Sequence, residues 1–162
     1  MRVIACLHQP LITDDLTSVL NLVRWRWHLS LGRLLGWFGY PRFAARHFQS
    51  AINLRPKHLL AYFQLGYTNG RLGLYEEAIS VFDSALRMSA NRAYPHAFKA
   101  LCCFRLGRYQ EAAHGFERAV RIEPRYQTRR WFTDSLAQCY SNLGQSIPIS
   151  TSAGGGKPDA GQ

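Results

Sequence analysis

LLAYFQLGYTNGRLGLYEEAISVFDSALRMSANR, residues 59–92, is the stretch that decides the fold. Its first half places Tyr62, Leu65, Gly66 and Asn69 at i, i+3, i+4 and i+7, one face of an α-helix. Gly73 then stands where a helix-ending glycine belongs. The second half carries a matching stripe of Ala78, Phe82 and Ala85. Small residues let two backbones approach, and Phe fills the gap that remains. The stretch therefore reads as helix, turn, helix.

Working outward, the same pattern recurs on both sides. Gly39, Gly73 and Gly107 are spaced by 34 residues, as are Ala44, Ala78 and Ala112. Phe48, Phe82 and Phe116 keep that spacing, and so do Ala51, Ala85 and Ala119. Aliphatic columns agree: Ile52, Leu86 and Val120, then Leu54, Met88 and Ile122. Pro41 suits the first turn of the second helix in the first copy, and Pro56 and Pro124 punctuate hairpin ends. One such hairpin cannot bury its apolar face, so about three are needed and the outer faces require caps.

A 34-residue period with L-G, then A-x3-F, then a terminal Pro resembles the tetratricopeptide repeat. Leu31-Gly32 and Leu65-Gly66 stand at its L-G site, and Ala44 to Phe48, Ala78 to Phe82 and Ala112 to Phe116 at its A-x3-F site. The family's Trp site instead holds His28, Tyr62 and His96, and its Tyr site holds Leu35, Asn69 and Cys103. The third copy has Lys99-Ala100 in place of L-G, so its first helix is expected to pack less tightly. The resemblance implies an all-α fold: a right-handed superhelical solenoid of three helix hairpins, residues 25–58, 59–92 and 93–126. It is nearly silent about biological role.

Capping helices are expected on both flanks. Residues 1–24 read as a leader and a helix opened by Thr13, Asp14 and Asp15, with Leu16, Val19, Leu20 and Val23 as its apolar stripe. Residues 127–144 place Phe132, Leu136, Cys139, Tyr140 and Leu143 at helical spacing before Gly144. Residues 145–162, with three consecutive glycines and two prolines, read as a disordered tail.

The 162 residues carry seventeen Arg and three Lys against ten acids, a formal charge of +10. Arg24, Arg26 and Arg33 interrupt the most apolar stretch, so no transmembrane helix is expected. Val3 to Cys6 looks like a lipoprotein cleavage box but lacks the charged and apolar regions before it, and a cytoplasmic chain is expected. Cys6, Cys102, Cys103 and Cys139 make no CxxC pair and no zinc spacing. No GxSxG, HExxH, P-loop or dinucleotide fingerprint occurs. His28 and His96 suit packed or hydrogen-bonded imidazoles better than ligands. The expectation is a non-enzyme with no cofactor, no metal and no small-molecule substrate.

What remains is a binding surface. First-helix residues not committed to the hairpins build the inner face of such a solenoid, and offsets place there Arg33 and Trp37; Leu60, Phe63, Gln64, Tyr67 and Arg71; and Tyr94, Phe98, Leu101 and Arg105. Aromatics with a few guanidinium groups and no acids suit a protein segment bearing apolar and acidic residues. A part of the same chain filling this groove is the bland alternative. One subset of the family grips the C-terminal carboxylate of heat-shock chaperones through Lys, Asn and Arg side chains. The corresponding positions here are Leu29, Arg33, Gln64, Tyr94 and Phe98, so that specificity is not expected.

Charge offers a second reading. From Leu16 to Tyr75 there are eight basic residues and no acid, and Arg118, Arg121, Arg125, Arg129 and Arg130 form another cluster. Such stripes fit nucleic acid, anionic lipid or an acidic partner, although exposed helices carry charge in any case. Trp25, Trp27 and Trp37 among Arg24, Arg26 and Arg33 would suit an interfacial helix, but Leu31, Gly32, Ala44 and Phe48 commit that segment to its hairpin. An adaptor for protein segments is the leading expectation and an RNA binder the alternative. A secretion-type chaperone fits the layout, but those proteins are typically acidic.

Overall fold

The structure, a computed structural model, describes residues 11–144, with side chains from Leu16 onward. The expected leader and tail, with Cys6 and the Thr13 cap, lie outside the described residues or side chains. Among the described residues there are seven α-helices and no strand: α1 (Leu11–Trp37), α2 (Pro41–Leu54), α3 (Leu59–Arg71), α4 (Tyr75–Met88), α5 (Ala93–Arg105), α6 (Tyr109–Ile122) and α7 (Arg130–Asn142). A 3-10 turn, Pro124–Thr128, precedes α7. The chain divides into two compact units, residues 1–74 with α1 to α3 and residues 75–162 with α4 to α7.

The turns inside the hairpins follow from three glycines. Gly39, Gly73 and Gly107 have φ of +84°, +78° and +77°, a left-handed conformation that costs other L-residues a clash with Cβ. Each lets the chain turn back so that a following N–H bonds a carbonyl five residues earlier: Tyr40 to Leu35 (2.9 Å), Leu74 to Asn69 (3.0 Å) and Arg108 to Cys103 (2.9 Å). The three closures repeat at the sequence period. Pro41 occupies the first turn of α2, where a missing N–H costs nothing.

In the first unit α1 packs on α2 and α2 on α3. Trp25 and Leu29 of α1, Ala44, Phe48, Ala51 and Ile52 of α2, and Ala61 and Leu65 of α3 are buried. Gly32 is needed for close approach, since a Cβ there would lie 2.7 Å from the Phe48 ring. In the second unit Phe116 of α6 and Phe132 of α7 meet edge to face at 4.8 Å, among buried Ala97, Ala100, Cys103, Ala112, Leu136, Cys139 and Tyr140. Burial raises the thiols of Cys102 and Cys139 to about 11 and that of Cys103 to about 12, which keeps them protonated and unreactive.

Two expectations are corrected. The leading cap is not a separate helix: α1 runs 27 residues straight through the expected boundary at residue 24, because no glycine or proline stands between Leu11 and Leu31 to break it. Its stripe of Leu16, Val19, Leu20 and Val23 is between 52% and 62% exposed, since the face that meets α2 is the one carrying Trp25, Leu29 and Gly32. Nor is the third hairpin loose. Ala100, standing where the other copies have Gly, is 1% exposed because the missing space is supplied from the opposite helix by Gly115, whose Cβ would lie 2.9 Å from that of Ala100. Lys99 replaces an apolar residue without leaving a buried charge unpaired, as its ammonium meets Asp83 at 2.7 Å and Glu111 at 3.8 Å. Burial opposes its charge, but those carboxylates outweigh burial and hold the ammonium above the ordinary lysine range.

Candidate binding surfaces

The expected groove residues lie on one face of each first helix. On α3, Leu60, Phe63, Gln64, Tyr67 and Arg71 fall at i, i+3, i+4, i+7 and i+11, with Leu60 and Tyr67 exposed and Phe63 and Gln64 half-buried. The opposite side of α3 is spent on the core through Ala61, Leu65, Thr68 and Asn69. Arg71 reaches back to the Gly36 carbonyl of α1 at 3.4 Å, one residue before Trp37. Trp37 is 84% exposed and Arg33 is also exposed. Nothing on this unit's described surface carries a negative side chain from Leu16 to Leu74.

On α5, Tyr94, Phe98, Leu101 and Arg105 share a face by the same spacing. Their rings form a row: Phe82 to Tyr94 at 6.3 Å, Tyr94 to Phe98 at 4.3 Å and Phe98 to Trp131 at 5.4 Å. The row is half-buried in its own unit, and Leu101 packs partly against the core, so this surface is a pre-ordered aromatic wall rather than a set of projecting anchors. Trp131 of α7 was missed by the sequence reading. Its signal was present, because carrying the 34-residue period past residue 126 puts Trp131 in the column of Phe63 and Ala97.

The family's Trp site is filled by polar rings that find partners. Tyr62 Oη donates to the Pro56 carbonyl at 3.0 Å, and one period on the His96 Nε2 meets the Ala90 carbonyl at 3.0 Å, so that nitrogen carries the proton. His28 Nδ1 instead lies 3.0 Å from His47 Nδ1, an arrangement in which one imidazole donates and the other accepts. Burial, then the His47 and Arg24 charges, hold His28 below the ordinary imidazole range of 6.5. Burial lowers His96 as well, against the raising effect of its carbonyl bond. Among the described residues no cluster of His, Cys, Asp or Glu could hold a metal ion.

The second arginine cluster does not form a uniform stripe. Arg125 pairs with Glu123, Arg130 lies 3.6 Å from Asp134, and the Arg129 guanidinium sits 5.5 Å over the Tyr126 ring. Arg118 and Arg121 line an open cleft of about 650 Å³ with His114, Asn91 and the carboxylate of Glu117. No described helix is long and apolar enough to cross a membrane.

Tetratricopeptide repeat family models match residues 59–92 and 93–126. These two segments are tetratricopeptide repeats. Solved structures share the chain's fold at low identity. MamA is 21% identical with a TM-score of 0.68, the match covering 74% of this chain and 68% of that one. The first repeat domain of Spaghetti (RPAP3), solved with an HSP90 peptide, is 16% identical with a TM-score of 0.70, covering 75% and 94%. The second repeat domain of human RPAP3, solved with an HSP70 peptide, is 17% identical with a TM-score of 0.67, covering 74% and 97%. No curated protein sequence matches the chain. The repeat phase also settles what each column does: in this chain the Ala and Phe columns are buried, while the α3 and α5 faces described above remain open to solvent in part.

Proposed function

We propose that this chain is a non-catalytic adaptor for protein segments, with the aromatic face of α3 as the binding surface of the first unit and that of α5 as the binding surface of the second. The observation that carries the proposal is the α3 face, where Leu60, Phe63 and Tyr67 remain accessible beside Arg71 although the rest of the helix is committed to the core. Desolvated aromatic anchors supply affinity, and arginines select acidic residues and speed encounter. The solved neighbours that hold chaperone peptides support the mode of binding, though not that ligand. Leu29, at one of the carboxylate-gripping positions, is buried at 7% and carries no donor, and Tyr94 and Phe98 replace cationic side chains at others.

Proposed boundaries for the repeats are residues 25–58, 59–92 and 93–126. RNA binding is the weaker reading, since Arg125 and Arg130 already have acidic partners and Glu117 lies among the remaining arginines. Selection from a displayed peptide library against the full chain tests the proposal. Enriched peptides should combine apolar or aromatic residues with Asp or Glu and should not require a free C-terminus. Enrichment only of peptides with a free acidic C-terminus would mean that the grip is of the chaperone-binding kind.

A further inference from the structure

From Leu16 onward the outer face of α1 is apolar and exposed, and none of the described residues of its own unit packs on it. Leu16, Leu20, Val23, Trp27 and Leu34 follow one another at spacings of four, three, four and seven residues and are between 46% and 66% exposed. At about 100° per residue they form one line along the helix, about 27 Å long, with Trp25 roughly 180° away on the side packed against α2. Commitment to the hairpin and an apolar outer face are therefore compatible, because they use opposite sides of the same helix.

The rim of the stripe identifies what covers it. Arg24 lies on one side and Arg26 and Arg33 on the other, each exposed and about 80–100° from the stripe's centre. At the far end Trp37 of α1, Tyr40 of the turn and Phe43 of α2 are exposed, rings with an apolar body and, for two of them, a polar tip. We propose that α1 lies flat on an anionic lipid bilayer, with the Leu–Val–Trp stripe sunk to the acyl boundary and the arginines reaching back to lipid phosphates and carboxylates. From Leu16 onward every charged side chain of α1 is positive, and a continuous negative surface complements that part of the helix. A second copy of this chain fits worse: pairing like stripes would set arginines against arginines, with no acid between Leu16 and Tyr75 to relieve them.

Flotation of the full chain with lipid vesicles tests this. The protein should float with equimolar phosphatidylcholine and phosphatidylserine, less so as salt is raised, and not with phosphatidylcholine alone. Leu20→Gln with Trp27→Gln, both on exposed side chains, should weaken binding about tenfold or more at unchanged helicity. Arg24→Gln with Arg26→Gln should do so by about tenfold. Phe63→Ala with Tyr67→Ala should float as the wild type does, so that failure of the adaptor reading and failure of this one remain distinct. The proposal is overturned by absence of flotation with the anionic vesicles, or by indifference to both paired changes. It is equally overturned by a dimer in sedimentation that Leu20→Gln with Trp27→Gln dissociates, or by co-purification with an acidic protein that the same pair abolishes while flotation persists.

Discussion

Exchanging two residues across the α5–α6 contact should be nearly neutral although each change alone is harmful. Gly115→Ala gains about 1 kcal/mol of helix propensity, but it sets a methyl 2.9 Å from the Ala100 Cβ and 3.5 Å from the His96 carbonyl oxygen. Neither neighbour can swing aside, so overpacking of about 1–3 kcal/mol should exceed that gain. Ala100→Gly loses about 1 kcal/mol of propensity and about 0.8 kcal/mol for a buried methyl. In the double variant the propensity changes cancel, and the methyl passes from one side of the contact to the other. It should lie within about 0.5 kcal/mol of the wild type, giving a coupling of about 2–3 kcal/mol. Urea unfolding of the four proteins, followed by circular dichroism, measures this directly. Additive losses would show that Gly115 does not compensate for Ala100, and the account of the third repeat would fail.

Gly32→Ala should destabilise by about 1–3 kcal/mol, because its Cβ would press on the Phe48 ring, which is only 2% exposed; an unchanged urea midpoint would place α1 and α2 wrongly. Ala112→Leu, at a fully buried position, should cost about 1–3 kcal/mol or more by the same measurement, and so should Ala78→Leu in the cluster with Phe82 and Cys102. Acidification should also destabilise. His28 and His96 have folded pKa values below 6.5, so the unfolded chain takes up protons first, and the stability present above about pH 6.5 is lost as pH falls below it. Replacing both with Gln should flatten that slope in urea midpoints taken between about pH 7.5 and about pH 5.5.

The fold was legible where one side chain per period does the same job. Gly39, Gly73 and Gly107 must take positive φ, and Ala112 and Phe116 must fill the same gap as Ala44 and Phe48, so the columns are visible without coordinates. Periodicity names a face but not its partner, and α1 shows the consequence. Leu16 to Val23 reads as a packed stripe, yet the burying face is that of Trp25 and Leu29 on the opposite side. Compensation between helices was equally invisible. Nothing in Lys99-Ala100 says that Gly115 will yield the space or that Asp83 and Glu111 will hold the lysine. The faces of α3 and α5 followed from helical spacing alone, whereas the Phe98–Trp131 contact depends on how α7 docks.

Recovery of partners from native lysate by the full chain, with and without nuclease and at two salt concentrations, tests the adaptor claim most directly when wild type is compared with Phe63→Ala, Tyr67→Ala. A protein partner should survive nuclease and be lost from the double variant, whose helicity is unchanged, since aromatic anchors commonly contribute about 2 kcal/mol or more each. Arg129→Glu with Arg130→Glu should leave that recovery intact. Loss of every partner on nuclease treatment, with indifference to the two aromatic changes and a flattened salt dependence in the arginine variant, would contradict that claim.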